Sequence, residues 1–267
     1  MRPEEYERMY SLENTYWWFQ GRKEIVLRIL RKHTPLGRTP LRVLDVGCGT
    51  GLLLQAIRTW ADPVGIDFSH LAMGYCTRRG IDHLTCGRVE ALPFRGEAFD
   101  LLLALDLLEH VDDDAALMRE LWRVCRPGGH LLITVPAYSF LWSEHDEALH
   151  HFRRYSRASL RRTIATTPFR IVRFTNAISL MLPPIAAFRL AQKTFKPDHD
   201  HRPKTHLIRL PRPLNRFLIS LLRLEARLLE RINFPYGVSL LALLHKPAGV
   251  EPDNGTVRQA AACKQNA

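Results

Sequence analysis

Val43-Leu44-Asp45-Val46-Gly47-Cys48-Gly49-Thr50-Gly51 is the stretch that decides the fold. The apolar run Leu41 to Val46 reads as a buried strand, stops at closely spaced glycines and passes into a helical run, Leu52 to Trp60. Glycines let the backbone approach a ligand without Cβ contacts, while helix N–H groups face it. A dinucleotide fingerprint needs GxGxxG, whose third glycine permits helix–strand packing under a pyrophosphate. Here the spacing is GxGxG, with Leu52 next. Asp67 ends the second apolar run, Val64 to Asp67, where a carboxylate accepts hydrogen bonds from ribose hydroxyls. A nucleoside presenting a carboxylate in place of a pyrophosphate fits this loop better than a dinucleotide does. The plainer alternative is a tight turn, with Asp67 capping the helix that follows.

Outward from the loop, strands alternate with helices. A helix is predicted to about Arg79, a strand at Leu101–Leu105, a helix at Asp112–Cys125 stopped by Arg126-Pro127-Gly128-Gly129, and a strand at His130–Val135. This predicts an α/β fold, a mostly parallel sheet covered on both faces. Residues 1–33 read as helical and aromatic, ending at Thr34-Pro35-Leu36-Gly37. Downstream come a helix at Leu160–Thr166, a strand at Phe169–Phe174 and a Pro- and His-rich stretch, 196–213, read as a mobile loop. Leu214–Ile232 is an amphipathic helix, with Leu214, Phe217, Leu218, Leu221, Leu224, Leu228 and Ile232 on one side and Arg216, Arg223, Arg227 and Arg231 on the other. Val238–Leu244 is a last strand, and the tail after Pro247 reads as disordered. The organisation expected is an N-terminal helical lid (1–40), an α/β core (41–175), a basic helical insertion (176–235), the last core strand (236–246) and the tail (247–267).

With 46% hydrophobic and 24% charged residues, the chain has the composition of a soluble globular protein, which excludes collagen-like and wholly disordered classes. The five cysteines form no CxxC pair, so a reduced protein without a cysteine metal site is expected. His199, His201 and His206 are too loosely spaced for a metal site, and none is expected. The apolar run Ala177–Phe188 is broken by Pro183-Pro184 and is too short to span a bilayer. The start, Met1-Arg2-Pro3-Glu4-Glu5, is unlike a secretory signal, and a cytoplasmic location is expected, with the inner face of the membrane as a second place. Charge is unevenly spread. From His150 to Pro235 there are 18 Lys/Arg against 4 Asp/Glu, so all the excess of the +11 chain lies there. Such a block suits an anionic partner, or a merely solvated surface.

Four motifs in order resemble the class I S-adenosylmethionine-dependent methyltransferases: the glycine loop with Asp67; Gly87-Arg88-Val89-Glu90-Ala91-Leu92-Pro93-Phe94 with Phe99-Asp100; Leu105-Asp106-Leu107-Leu108-Glu109-His110-Val111; and Arg126-Pro127-Gly128-Gly129. The resemblance covers residues 16–180 and 235–246. It implies a Rossmann-like seven-stranded sheet with one antiparallel strand, Val238–Leu244, and S-adenosyl-L-methionine as cofactor. It assigns Asp45, Gly47, Cys48 and Gly49 to the methionine moiety, Asp67 to the ribose, Phe68 and the Val89 backbone to adenine, and Asp106 to the cofactor's ammonium. Many relatives carry Asp where this chain has Arg88, a departure that leaves Arg88 without a role.

Trp142-Ser143-Glu144-His145-Asp146 and His151-Phe152-Arg153-Arg154-Tyr155-Ser156, with Trp17-Trp18-Phe19, resemble a bacterial methyltransferase subgroup of the type 11/12 kind. His151 is the leading base candidate, with Tyr155 and His110 as further catalytic candidates. His145, Arg153 and Arg154 are candidates for holding the acceptor. Trp17 and Arg22 are placed beside the cofactor as part of a lid, Arg22 near its carboxylate; the alternative is that the Trp17-Trp18-Phe19 cluster anchors the N-terminal helix on the core. The segment after the fourth strand lacks the Asn/Asp-Pro-Pro-aromatic pattern associated with exocyclic amines of nucleic acids. A small-molecule or lipid- or glycan-linked acceptor is therefore expected, with RNA kept as the alternative by the basic block. A dehydrogenase and a non-catalytic cofactor-binding protein are the rival readings. The insertion is expected to cap the acceptor pocket with its leucine face inward, or to lie at a membrane surface.

Overall fold

The structure, a computed structural model, describes residues 3–34, 40–194 and 210–249. Helices α1 (Pro3–Leu12) and α2 (Trp17–His33) precede strand β1 (Leu41–Val46). Then come α3 (Leu52–Ile57), β2 (Ala61–Asp67), α4 (His70–Arg78), β3 (Leu84–Cys86), β4 (Phe99–Leu105), α5 (Asp114–Val124) and β5 (Cys125–Pro136). After a short α6 (Glu144–Ala148) follow α7 (Arg157–Ile164), β6 (Arg170–Ala177), α8 (Leu182–Thr194), α9 (Arg212–Leu229) and β7 (Ser239–His245). The seven strands form one sheet in the order β3-β2-β1-β4-β5-β7-β6. β7 runs antiparallel to both its neighbours, and the pairs among β1 to β5 are parallel. The order reverses between β1 and β4, which opens a crevice at the strands' carboxyl ends.

Successive side chains of a strand point to opposite faces, and both faces here are covered. Leu102, Ala104, Leu131, Ile133 and Ala242 pack with α5 and α7, through Leu117, Leu121, Leu160 and Ile164. Leu101, Leu103, Leu132, Leu241 and Leu243 pack with α2 and α9, through Ile25, Ile29, Leu222, Ala226 and Leu229. That is why β4 reads as apolar throughout.

Three expectations are corrected. Residues 1–33 are not one lid-like helix: α2 buries Ile25, Val26, Ile29 and Leu30 and belongs to the core. The break expected at Pro183-Pro184 is instead a helix start: both stand in the first turn of α8, where missing N–H groups cost nothing. The leucine face of α9 is not packed inward. Its buried stripe is Leu222, Glu225, Ala226 and Leu229, while Leu214, Phe217, Leu224 and Leu228 are exposed. Glu225 fixes this orientation by accepting from the backbone N–H groups of Ser179 (2.8 Å) and Leu180 (3.2 Å). Most of the expected loop (196–209) and nearly all of the tail lie outside the described residues, as do His199, His201 and His206.

α9 lies along α2. The Trp17 N–H donates to Asn215 Oδ1 at 3.0 Å, and Arg28 meets Glu230, the C-terminal cap of α9, at 2.7 Å. Gly21 allows the close approach, since a Cβ there would stand 2.8 Å from the Cβ of Leu222. Gly21→Val should therefore cost about 1–3 kcal/mol by overpacking. At about 2–4 °C per kcal/mol, a thermal melt followed by circular dichroism should fall several degrees.

Candidate functional site

The glycine loop leaves β1 at the carboxyl end of the sheet. Gly47 and Gly51 have φ of +75° and +79°, a region that side chains with a Cβ rarely adopt. A Cβ on Gly47 would lie 2.8 Å from Leu107 Cδ1, and one on Gly51 2.8 Å from Cys76 Sγ. Asp67, 6% exposed, accepts from the Gly49 N–H and the Ser69 N–H, both at 3.0 Å. It thus braces the loop and opens α4, and each carboxylate oxygen keeps a lone pair for a ribose hydroxyl. Burial raises its pKa. Asp45 is buried beside it, and desolvation followed by repulsion from Asp67 pushes its pKa up to about 7. Phe68, just past β2, is 65% exposed and offers a ring face, and Val89, in the loop after β3, is buried. Arg88 points to solvent beside Glu90, 3.6 Å away.

The N-terminal contact on the glycine loop comes from α1 and the turn after it, not from the tryptophans. Glu13, 2% exposed, accepts from the Thr50 hydroxyl at 2.7 Å and is ion-paired to Arg79. Arg79 also donates to the Thr50 carbonyl at 2.8 Å. Tyr10 stacks on Tyr75 with ring centroids 4.6 Å apart, and the Met9 methyl reaches Gly49. Single polar residues far apart in sequence, with no motif, make this latch, so sequence reasoning missed it. Trp17 and Trp18 instead pack, partly buried, on the face of the sheet that α2 covers. Arg22 does reach the crevice: it pairs with Asp106 at 2.5 Å and donates to Thr134 Oγ1 at 3.4 Å. Asp106, at φ +51°, also accepts from Thr134 Oγ1 at 2.9 Å.

Beyond Asp106, the segment after β4 meets the segment after β5. His151 Nδ1 lies 2.9 Å from Asp146 Oδ1, which leaves Nε2 as the reactive nitrogen. Arg154 grips the same carboxylate, Nε at 2.8 Å and Nη2 at 3.0 Å, and its third bond goes to the Ala137 carbonyl. Burial works against the Asp146 charge, but these partners hold its pKa well below the usual carboxylate range. The rings of His110 and His151 meet edge to face at 4.6 Å. One edge of His110 is open to solvent, yet desolvation of the rest and the neighbouring His151 lower its pKa to about 4. Burial, then the charge of Arg189 on α8, brings His145 to about 4 as well.

Two candidates are corrected as acceptor anchors. Arg154 is spent on Asp146, and Arg153 on the Asp112 carbonyl (2.8 Å) and Asp114 (3.5 Å). Tyr155 is also corrected: 2% exposed, it donates to Asp114 Oδ2 at 2.8 Å and is a core anchor. The residue overlooked is Glu109. It is fully buried, both carboxylate oxygens lack a hydrogen-bond partner, and desolvation with Asp106 nearby raises its pKa well above normal. One ligand atom each from Glu109, His110 and His151 lie within 4.8 Å of one another, so this trio could hold a cation.

Residues 44–133 match the sequence model of the methyltransferase domain family. Over 112 residues the chain is 37% identical to a ubiquinone biosynthesis O-methyltransferase of Parvibaculum lavamentivorans, covering 38% of this chain and 44% of that one. It is 30% identical over 166 residues to a Mycolicibacterium smegmatis protein named "Probable S-adenosylmethionine-dependent methyltransferase", covering 60% and 61%. The chain therefore spans between two fifths and three fifths of the length of these curated relatives. In fold it resembles a chain from the complex of the Haloferax volcanii Trm112 methyltransferase activator with a methyltransferase (TM-score 0.59, 19% identity, 92% and 96% covered). It also resembles a Thermotoga maritima S-adenosylmethionine-dependent methyltransferase (TM-score 0.55, 17% identity, 91% and 95% covered).

Family and fold imply S-adenosylmethionine as cofactor, and the residues present fit it. The glycine loop is open to close backbone approach, Asp67 has lone pairs to spare and Phe68 offers a ring face. Asp45 is a carboxylate for an ammonium, while Asp106 and Arg22 are paired with each other and would meet the cofactor's amino-acid end only as that pair. The glycine loop, the acid at the end of β2, the strand order with its one antiparallel member and the family match converge: residues 44–133 are a methyltransferase domain, set in a fold of the class I S-adenosylmethionine-dependent kind.

Proposed function

We propose that the chain transfers a methyl group from S-adenosylmethionine to an oxygen or nitrogen of a small-molecule acceptor, or of one linked to a lipid or glycan. The observation that carries the reading is His151, held by Asp146 at the carboxyl end of the sheet beside His110. When bound, the cofactor supplies an electrophilic methyl sulfonium. The protein must then align the acceptor in line with it and remove the acceptor's proton. His151 Nε2 takes that proton, and the Asp146 carboxylate stabilises the imidazolium that results. The Arg154 grip keeps Asp146 ionised and pointed at His151. The names of the ubiquinone O-methyltransferase relatives support oxygen methylation of a small molecule.

The test is incubation of the pure protein with isotopically methyl-labelled cofactor and, separately, a metabolite extract, a lipid extract and RNA. Label in metabolites or lipids supports the proposal, and label in RNA alone replaces it. Cofactor binding without S-adenosylhomocysteine from any extract would point to a non-catalytic binding protein.

A second reading of the proton step is favoured by the unpartnered Glu109. A divalent cation on Glu109, His110 and His151 would acidify an acceptor hydroxyl, a role that excludes His151 as base. Loss of activity in chelator, restored by added cation, selects it. Full activity in chelator selects the His151 base.

Cofactor binding should also depend on pH through Asp45. With its pKa near 7, the carboxyl is largely protonated below that pH, and an ammonium beside it favours the ionised form. Binding should then release a proton, and affinity should rise as pH increases to about 7 and level off above. Calorimetry in buffers of different ionisation enthalpy reads the proton directly, and Asp45→Asn should abolish the dependence.

A further inference from the structure

The outer surface of α9 is divided in a way that packing among the described residues does not explain. At about 100° per residue, the helix has three sectors centred roughly 120° apart. The first is the buried stripe of Leu222, Glu225, Ala226 and Leu229. The second is arginine: Arg212, Arg216, Arg223 and Arg227, all exposed, with Arg231 just past the helix end. Among the described residues none of the five is in an ion pair. The third is apolar and faces solvent. Phe217 is 61% exposed, Leu224 49%, Leu214 44% and Leu228 42%, with Ile232 beyond the helix end at 49%.

We propose that this surface lies on an anionic lipid bilayer, with the Phe217-Leu224-Leu228 strip among the acyl chains and the arginine sector on the headgroup phosphates. A soluble helix that exposes apolar side chains in scattered places needs no explanation, but a continuous strip along four turns beside an unpaired arginine row does. That pairing is the physical signature of an interfacial helix, which gains from apolar burial and from attraction to anionic lipid together. The charge of the region agrees. The one acid of α9, Glu225, is buried on backbone N–H groups, and Glu230 is tied to Arg28. No carboxylate of the helix is left to repel the bilayer. The whole stretch from His150 to Pro235 carries 18 basic against 4 acidic residues. No helix among the described residues is long and apolar enough to cross a membrane, so the contact proposed is peripheral.

The placement also concerns the crevice. α9 runs alongside α2, and its first turn holds the start of α2: Asn215 accepts from the Trp17 N–H and donates to the Thr15 carbonyl at 2.8 Å. Arg22, which pairs with Asp106 at the carboxyl end of the sheet, is on that same stretch of α2. The apolar strip therefore starts beside the stretch of α2 that carries Arg22 to Asp106.

The experiment is co-sedimentation of the full chain with vesicles of phosphatidylcholine alone or with phosphatidylglycerol, at low and high salt. Two variants accompany it: Arg216, Arg223, Arg227 and Arg231 changed to Gln, and Phe217, Leu224 and Leu228 changed to Ser. All seven side chains are exposed, and a thermal melt with cofactor calorimetry verifies that both variants fold. Wild type should bind the anionic vesicles and lose most binding at high salt. The arginine variant, with four charges removed, should bind roughly 600-fold more weakly, at about fivefold per charge. The serine variant should also lose affinity, retaining only a salt-sensitive remainder. Wild type that ignores anionic vesicles at low salt overturns the proposal, as does binding that neither variant weakens. A wild-type dimer in solution that the serine variant converts to monomer also overturns it, by assigning the strip to a second copy. Because cofactor calorimetry is read in parallel, failure here is distinct from failure of the methyltransferase reading.

Discussion

Asp146→Ala is expected to have the largest effect of any single substitution in this chain. The carboxylate is fully buried and serves His151 and both sides of the Arg154 fork. Its removal leaves a buried guanidinium without a counter-charge, which costs about 3–5 kcal/mol. The melting temperature should fall by 10 °C or so, at about 2–4 °C per kcal/mol. Activity should fall too, but there the loss of structure and the loss of the base are entangled. His151→Gln separates them. It keeps a polar group of similar reach, so the fold should hold, while turnover on a protonated acceptor should drop about 10²–10⁴-fold. Cofactor affinity by calorimetry should be unchanged. A His151→Gln enzyme with wild-type kcat would remove His151 from the proton step.

The second large effect is on cofactor binding. Asp67→Ala deletes the acceptor for the ribose hydroxyls, a loss of about 1–3 kcal/mol in a desolvated site. That is roughly a 5- to 150-fold rise in Kd. The same change frees the Gly49 and Ser69 N–H groups, so part of the loss comes from a looser glycine loop. Asp67→Asn divides the two contributions: its amide oxygen can still accept one of those backbone bonds, but the charge is gone. Unaltered affinity in the Ala variant would contradict the cofactor placement altogether.

Much of this site is readable in the sequence because the residues that build the cofactor loop are contiguous. Gly47, Gly49 and Gly51 are needed by local backbone geometry, and Asp67 ends the very next strand. The acceptor side is less readable. His151 is conspicuous, but Asp146, five residues before it, becomes its partner only because the α6 turn folds back. Arg153 and Arg154 read alike as free cations, yet both are consumed by carboxylates whose proximity no spacing announces. Glu109 sits within a recognisable motif, but nothing in the residue type says that its carboxylate is buried without a partner.

The sequence by itself determined the alternation of strands and helices and the glycine loop, because each is set by local periodicity or by the steric needs of glycine. The seven-stranded sheet with its antiparallel strand was implied only by the family resemblance, the three-residue β3 being too short to show a period. Only the tertiary structure decided which side of α9 is buried. Its apolar residues occupy two sectors, and hydrophobicity does not choose between them. The choice was made by Gly21, which lets Leu222 come close, and by the two N–H groups that receive Glu225, and it left the leucine strip facing outward.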